Sequence, residues 1–316
     1  MYSLVWHITI GEYRLKTLKS VKISASVLNL SDTARIELPA QYLNTWQKIE
    51  DKIKTGDEVC IDLGYGNSVK TEFKGFLKRI SRDNNTLVLE CEDALYLLNV
   101  AVADKEYKEV TLNSLIGDIL SQVDGTLIVV CDYNYIFKKF VVFHQTALDI
   151  IKKIHEETKA NIWFEDKTLH IHPVYTEKRD EEAIIFDTAV NVLSNALKWV
   201  TAGDKKVQIE VVLKQADGAI KKKAYGDTGG SKVTKIINGS SETDMQTAAE
   251  NEYNLWNYDG FEGNFTAWLI PRVIAGTSVR LRDTGKPEGK YYVTGIDIEF
   301  GSSGAKRKIT LGRKLS

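Results

Sequence analysis

The sequence predicts a mainly β protein in which two similar small β-barrels are separated by an α+β insert domain. Three observations predict this fold: strand-like alternation in both terminal thirds, helical spacing in the middle, and one segment that recurs at a fixed offset. At 316 residues the chain is long enough for more than one hydrophobic core. The predicted domains are a first barrel over 1–98, the insert over 99–190, and a second barrel with a helical excursion over 191–316.

Apolar and polar residues alternate with a period of two through most of the first domain. The clearest runs are 21–25, 34–38, 59–63 and 87–91. Turn-forming residues separate these runs, as at 64–67. Short strands at this spacing are typical of a sandwich or a small barrel.

The insert predicts two capped helices followed by a hairpin. Thr111 precedes apolar residues at helical spacing from Leu112 to Leu120, and Thr146 precedes a second such run with Asp149 three residues on. Residues 160–171 then alternate around a turn, which predicts a β-hairpin.

The last domain returns to strands, beginning with 207–211. Ser241, with Asp244 three residues later, predicts the start of a helix that runs toward Trp256. The glycine-containing segment 226–232 predicts a hairpin tip between two strands.

The segment 56–91 matches 276–311 at an offset of 220 residues without a gap. Two glycines coincide in this match, Gly56 with Gly276 and Gly75 with Gly295. The coinciding apolar positions are Val59 with Val279, Ile61 with Leu281, Phe73 with Val293, Phe76 with Ile296, Ile80 with Phe300, Leu89 with Ile309 and Cys91 with Leu311. A looser match aligns 21–27 with 207–213. Because glycines mark bends that side chains would block, the match predicts a duplicated barrel.

The balance of charge argues against a nucleic-acid or membrane-surface partner. The chain carries 42 Lys+Arg and 43 Asp+Glu, a formal net charge of -1. Cys60, Cys91 and Cys131 lie in separate strand-like runs, which predicts buried thiols in a reducing compartment. The sequence shows no secretion signal and no apolar run long enough for a bilayer, so assembly in a cytoplasm is expected.

Several segments carry a resemblance to a known family. Residues 56–65, 73–80 and 87–94 resemble the first barrel of tail hub proteins of the late control D and gp27-like group, found in contractile phages and related injection systems. Residues 145–151 with the Trp163-Phe164 hairpin are similar to the insert of that group, and 289–313 are similar to its second barrel.

The resemblance implies a structural baseplate hub in the tail of a phage, prophage or injection system. The implied partners are two further copies in a homotrimer, the tail tube protein, a separate central spike protein and other baseplate proteins. Two barrels per chain would give such a trimer pseudo-sixfold symmetry. DNA is expected only in transit through the channel, and no membrane is expected. The implied location is the virion tail baseplate, assembled in the bacterial host cytoplasm.

Two alternatives belong to other classes of function. A tail-tip cell-wall hydrolase would use Cys91 with His144 as nucleophile and base, or the Asp-Thr-Gly triplets at Asp227 and Asp283. Cys91 lies on the face of a strand with apolar neighbours, which favours a buried structural thiol. The triplets have the composition of ordinary turns.

A barrel-based nucleic-acid-binding protein would combine Lys221, Lys222 and Lys223 with aromatic residues further along the chain. These aromatic residues are Tyr253, Trp256, Tyr258 and Phe261. We interpret the lysines as solvated and the aromatic residues as packing or interface residues.

His170 and His172 share one face of a predicted strand, a spacing that metal sites use, but no third ligand accompanies them. We interpret them as facing water while Leu169 and Ile171 face the core. The sequence therefore predicts no enzyme and assigns no catalytic, cofactor-binding or metal-binding residue.

Overall fold

The computed structural model describes residues 3–39, 41–42, 45–46, 49–83, 85–133, 135–158, 160–165, 167–173, 175–178, 182–204, 206–214, 219–238 and 242–316. Strands dominate these residues, as the sequence predicts. None of the helices over this part of the chain is long and apolar enough to cross a membrane.

In the described residues, the first half of the molecule contains nine strands and a short 3-10 helix at Ile49–Asp51. The strands are β1 (Leu4–Ile10), β2 (Tyr13–Arg14), β3 (Ser20–Ser26), β4 (Thr33–Pro39), β5 (Gln41–Tyr42), β6 (Thr45–Trp46), β7 (Glu58–Tyr65), β8 (Ser68–Asp83) and β9 (Thr86–Glu92).

The insert follows a 3-10 helix at Ala94–Leu98 and contains two α-helices. Its elements are β10 (Lys105–Thr111), α1 (Leu112–Val123), β11 (Ile128–Cys131), β12 (Ile136–Val142), α2 (Ala147–Thr158), β13 (Asn161–Glu165) and β14 (Thr168–His172). Both predicted caps are confirmed. The Oγ1 atom of Thr111 accepts from the amide of Ser114 at 3.2 Å, and Thr146 and Asp149 bond to each other's amides at 3.1 Å.

The second half is interrupted by a separate sheet and helix, which we call the excursion. The strands of the second half are β15 (Ile184–Asp187), β16 (Val192–Val200), β20 (Gly260–Trp268), β21 (Ser278–Asp283), β22 (Lys286–Gly301) and β23 (Gly304–Lys314). The elements of the excursion are β17 (Val207–Lys214), β18 (Ile220–Gly226), β19 (Ser231–Asn238) and α3 (Glu242–Trp256). The helix predicted toward Trp256 is thus confirmed, whereas its predicted cap at Ser241 lies outside the described residues.

Both halves lie in one continuous thirteen-stranded sheet. Its main path is β16-β20-β23-β22-β3-β4-β9-β8-β7-β1-β2, and β21 and β15 branch from β22. The halves meet where β22 pairs with β3, from Gly295 opposite Ser26 to Gly301 opposite Ser20. We call this junction the seam. The described strand pairs close neither half on itself, so the two separate barrels stay a prediction.

The same antiparallel five-strand unit occurs in both halves. In the first half the pairs run β3-β4-β9-β8-β7, and in the second half they run β16-β20-β23-β22-β21. Gly56 and Gly276 hold equivalent places: both have positive φ, and their amides donate to the carbonyls of Leu77 and Val293 at 2.8 Å. The predicted duplication of the strand pattern therefore exists in the fold.

The ungapped alignment is wrong in its middle part. Leu77 pairs with Cys91 and Val293 pairs with Leu311, so β8 corresponds to β22 at an offset of 216, while β9 corresponds to β23 at 220. The predicted matches of Gly75 with Gly295, Phe73 with Val293, Phe76 with Ile296 and Ile80 with Phe300 are therefore incorrect.

Two loop-length differences of opposite sign cause this error. Paired Ile61 and Phe73 are 12 positions apart, whereas their equivalents Leu281 and Gly289 are 8 apart. In the next hairpin, Ile80 and Leu89 are 9 positions apart, whereas Ile296 and Ile309 are 13 apart. The two differences cancel, which leaves the ends of the segment at one offset.

The predicted match of 21–27 with 207–213 is also wrong. The equivalent of β3 is β16, because both pair with the next strand of the unit in the same way. Residues 207–213 lie in β17, the central strand of the excursion sheet, whose order is β18-β17-β19. The segment 226–232 is not a hairpin tip, because β18 and β19 both pair with β17 and the connection crosses its end.

Candidate assembly interface

Strand β16 ends the thirteen-stranded sheet on one side. In the described residues it pairs only with β20, and its central residues, from Leu193 to Ala196, are exposed. A strand edge of this kind presents unpaired backbone donors and acceptors that another strand can bind. β16 is therefore a candidate site for pairing between chains.

The second open edge belongs to the far part of β8. Residues 68–76 of β8 pair with β7, but 79–83 pair only with β9 among the described strands. In the second half, the equivalent part of β22 also extends past β21, and there its edge is occupied by β3.

The two open edges correspond to the two edges that are joined at the seam. β8 is the equivalent of β22, and β16 is the equivalent of β3. The chain thus joins one such pair internally and, among the strands that the structure describes, leaves the other pair, β8 and β16, open at opposite ends of the same sheet path.

One face of the sheet across the seam is polar and charged. A single row of cross-strand neighbours runs over seven strands through Trp268, Lys306, Glu299, Lys22, Arg35, Glu90 and Arg79. Within this row Nζ of Lys22 lies 3.8 Å from Oε1 of Glu299, and Nη2 of Arg79 lies 2.8 Å from Oε1 of Glu90. The hydrogen bond from Arg79 lowers the pKa of Glu90, so this carboxylate stays charged at neutral pH.

This polar face is concave at the seam. It holds an open groove of about 650 Å³ whose lining includes Lys22, Arg35, Asp297 and Lys308, together with atoms of Ile23 and Ile298. The opposite face carries the apolar core that both halves share, including Val21 and Phe300. The sheet can therefore curve with its charged side inward and its core side outward.

The two largest additions leave the sheet at the same end of the strands, whereas β5 and β6 follow β4 at the other end. The insert leaves the sheet after Glu92, which is paired with Thr33, and the excursion leaves after Val200, which is paired with Gly260. Because β22 pairs with β3 across the seam, these pairs lie at the same end of the sheet. The other end carries the tight turns of the β8–β9 and β22–β23 hairpins. We call the two ends the insert end and the hairpin end.

Besides the seam, a buried ion pair connects the two halves. Nη2 of Arg307 in β23 lies 2.7 Å from Oε1 of Glu72 in β8, and Nε of Arg272 lies 3.3 Å from Oε2 of the same carboxylate. The side chains of Arg307 and Glu72 are 1% and 2% exposed. Removing one partner would leave a buried charge uncompensated.

The hydrolase candidates do not come together. Cys91 is buried in the shared core, and burial raises the pKa of its thiol to about 12. His144 is exposed, with Nδ1 3.4 Å from Asp104. Cys60 and Cys131 are only half-buried, so the prediction of buried thiols is right for Cys91 alone.

The two Asp-Thr-Gly triplets lie in different sheets. Asp227 follows β18 in the excursion, where Oδ2 accepts from the hydroxyl of Tyr253 at 3.2 Å. Asp283 ends β21 in the main sheet and accepts a hydrogen bond from Thr188.

The residues considered for nucleic-acid binding also have different structural roles. Lys221, Lys222 and Lys223 are exposed on β18, as predicted. The aromatic residues serve packing: Phe261 is buried against Trp199, and Trp256 contacts Tyr175 edge-on at 5.6 Å. Hence the lysines and the aromatic residues form no joint stacking surface in the described contacts.

The interpretation of the insert histidines is half right. Leu169 and Ile171 are fully buried, as expected. The histidines, however, do not simply face water, because both rings stack on Trp163 at centroid distances of 5.1 and 4.8 Å. Trp163 is the cross-strand neighbour of His170 on β13, a pairing that the hairpin register could have indicated. No group of three or more potential metal ligands is found among the described residues.

Two carboxyl groups meet where the insert leaves the first half. Asp93 accepts from the amide of Asp32 at 2.9 Å and from the amide of Leu95 at 3.0 Å, where it caps the 3-10 helix. Burial, and then the charge of Asp32, raise the pKa of Asp93 to about 7. This polar joint was not apparent from the sequence, because it depends on a contact between a turn and a strand end 61 residues apart.

The fold is similar to several solved structures, although no protein-family model and no curated protein matches the sequence. A 43 kDa tail protein of prophage MuSo2 from Shewanella oneidensis is similar over 98% of this chain and 97% of its own, with 15% identity and a TM-score of 0.66. The tail protein from Neisseria meningitidis MC58 is similar over 100% and 97%, with 14% identity and a TM-score of 0.65.

A third similar structure comes from a secretion system. It is a component of the Escherichia coli type VI secretion system with structural similarity to the bacteriophage T4 tail proteins gp27 and gp5, and it matches over 97% of this chain and 76% of its own, with 8% identity and a TM-score of 0.60. The chain therefore has the fold of phage tail proteins and of gp27-like hub proteins. The resemblance predicted from the sequence is confirmed at the level of the fold.

Proposed function

We propose that this protein is a structural hub in the baseplate of a phage or phage-like tail, where it acts as a homotrimeric ring and not as an enzyme. The observation that carries the proposal is the seam. The chain pairs β22 with β3 internally and leaves the equivalent edges, β8 and β16, open at the two ends of the same sheet path.

The seam gives the register of the proposed junction between chains. Transferring it to the equivalent strands places Ile80 opposite Trp199 of the next chain, Ser81 opposite its Lys198, and Asp83 opposite its Ala196. The junction is head-to-tail, and such contacts close into rings when the rotation per chain allows it.

The ring has two kinds of junction that resemble each other. Eight strands of each chain lie between the open edges, so three chains give a closed sheet of 24 strands with alternating internal and intermolecular junctions. At about 4.8 Å per strand its backbone diameter is roughly 37 Å, before strand tilt widens it. The concave polar face then lines an axial channel whose charges are largely paired, which suits the passage of DNA without tight binding.

The two ends of the ring suit partners of different symmetry. The hairpin end carries similar turns from both halves, so it presents six similar features and suits a sixfold tail tube. The insert end carries the insert and the excursion once per chain, so it presents three features and suits a threefold spike. We assign the tube protein to the hairpin end and the spike protein to the insert end.

The mass of the purified protein tests the ring directly. Light scattering over a concentration series should give about three times the chain mass of 35.6 kDa. A mass that stays at one chain at every concentration, with or without tube and spike proteins, would overturn the proposal.

A further inference from the structure

The two histidines of β14 point a nitrogen at each other. Nε2 of His172 lies 3.5 Å from Nδ1 of His170, and the two rings are inclined by only 19°. Two imidazole nitrogens bound to one tetrahedral zinc ion at about 2.0–2.1 Å would lie roughly 3.3–3.4 Å apart. The nitrogen–nitrogen distance therefore needs to shorten by only one or two tenths of an ångström. The rings must also turn so that both lone pairs meet at one ion, because at a centroid distance of 5.7 Å the two nitrogens point almost directly at each other.

A carboxylate lies behind one of these rings. Oδ2 of Asp132, the residue after β11, is 2.7 Å from Nδ1 of His172, but the two atoms are not aligned as a hydrogen bond. A turn of the exposed Asp132 side chain would let Nδ1–H donate to it and would leave the lone pair on Nε2, the atom that faces His170. A carboxylate placed on the far nitrogen of a histidine is the usual support of a metal-binding imidazole.

Both rings also stack on one indole. His170 is parallel to the indole of Trp163 within 5°, and His172 within 24°.

The positive charge of nearby Lys178 limits the affinity of the two histidines for a metal cation. Nζ of Lys178 lies 4.9 Å from the centroid of the Trp163 ring.

Two nitrogen ligands with water in the remaining positions favour a borderline divalent ion such as Zn²⁺ or Cu²⁺ over Mg²⁺ or Ca²⁺, which prefer oxygen.

We propose that His170 and His172 form a chelating site for a divalent transition-metal ion, with Asp132 as the residue that orients His172. The bound ion would fix β14 and, through Asp132, the segment that follows β11. This site is independent of the proposed ring, because all three residues belong to the insert.

Zinc titration of the full chain tests the site. Isothermal titration calorimetry with ZnCl2 at pH 7.5, on chelator-treated protein without an affinity tag, should show one ion per chain. His170→Gln and His172→Gln should each abolish this binding, and Asp132→Asn should weaken it about 10-fold to 100-fold. His144→Gln is the matched control, because His144 is exposed and outside the pair.

Each result decides the proposal. Saturable binding that depends on His170 and His172 but not on His144 supports it. Absence of saturable binding, or equal binding by His172→Gln, overturns it. If the histidine variants do not fold, Asp132→Asn decides instead: its side chain is 55% exposed and its loss should leave folding intact, so unchanged zinc affinity in this variant would also overturn the site.

Discussion

The two halves of the main sheet use one strand plan but differ in where their loops are long. The first half has the longer β7–β8 hairpin, and the second half has the longer β22–β23 hairpin, by four residues in each case. The first half connects β3 to β4 by six residues, whereas the second half connects β16 to β20 through the whole excursion. Equivalent positions in the two halves are therefore identified by strand pairing and not by one fixed sequence offset. Residues that differ at equivalent positions indicate a role that only one half has.

The largest loss of stability is expected at the buried ion pair between the two halves. Glu72→Ala leaves Arg307 charged and buried, so the free energy of unfolding should fall by about 3–5 kcal/mol. The equivalent residue of the second half is Glu288, which pairs with Arg280 and Arg282 at the surface. Glu288→Ala should change stability little. Urea unfolding followed by circular dichroism measures both, and equal losses would contradict the role of Glu72.

The ends of β9 and β23 should differ in their response to pH. Asp93 follows β9, and its equivalent at the end of β23 is Arg313. The pKa of Asp93 is raised to about 7 from an ordinary value of 3.8. Between pH 4 and 7 the unfolded chain has already lost this proton while the folded chain keeps it, so stability from this group is greatest at low pH and falls as the pH rises.

Asp93→Asn should flatten this pH dependence, because the amide does not ionise. Urea midpoints at four pH values between 4.5 and 7.5 give the slope for the parent protein and for the variant. Each unit of pKa shift corresponds to about 1.4 kcal/mol. An identical slope in the variant would show that Asp93 does not ionise within this window.

Ala196 offers a smaller change that affects only the junction between chains. At the seam its equivalent is Lys22, whose ion-pair partner Glu299 is the equivalent of Asp83. Ala196→Lys should therefore strengthen the junction with Asp83, and Ala196→Asp should weaken it, by about 0.2–1 kcal/mol per pair. Ring dissociation on dilution measures the effect, and Ala196→Asp with Asp83→Lys should restore the ring. Identical dissociation of both variants would argue against this register.

The smallest effect is expected at Cys91, whose equivalent is the apolar residue Leu311. With a thiol pKa of about 12, Cys91 should stay unmodified by iodoacetamide at pH 8 until the protein is unfolded. Mass spectrometry of labelled peptides checks this. Rapid labelling of Cys91 in the folded protein would revive the hydrolase reading, which needs a reactive thiolate.

The sequence was sufficient for local structure wherever one residue type decides it. Thr111, Thr146 and Asp149 mark their helix starts because a side chain must accept from free amides there. Gly56 and Gly276 were matched correctly, because both occupy a conformation that favours glycine. Alternation located most strands of the main sheet.

Pairing between strands that are distant in the sequence could not be predicted from residue types alone. Alternation gives the buried face of a strand but not its partner, so 207–213 was assigned to the main sheet although it forms the centre of the excursion. The shift of β8 against β22 was hidden because two loop changes cancel. The stack of Trp163 on His170 and His172, and the contact of Asp93 with Asp32, depend on register and on tertiary contacts that spacing does not contain.

Cysteine cross-linking at the proposed junction tests the central claim most directly. In a background with Cys60 and Cys131 replaced by serine, Ser81→Cys with Lys198→Cys places one thiol on each side of the junction. Ser24→Cys with Asp297→Cys is the matched control, because these residues face each other at the seam within one chain. Directly opposite residues lie within reach of a disulfide.

The account predicts that mild oxidation of the junction pair gives covalent dimers and closed trimers on a non-reducing gel, while the seam pair closes within single chains. Closure of the seam pair without any linkage between chains at the junction pair would contradict the claim that the chain's own seam is the template for its assembly.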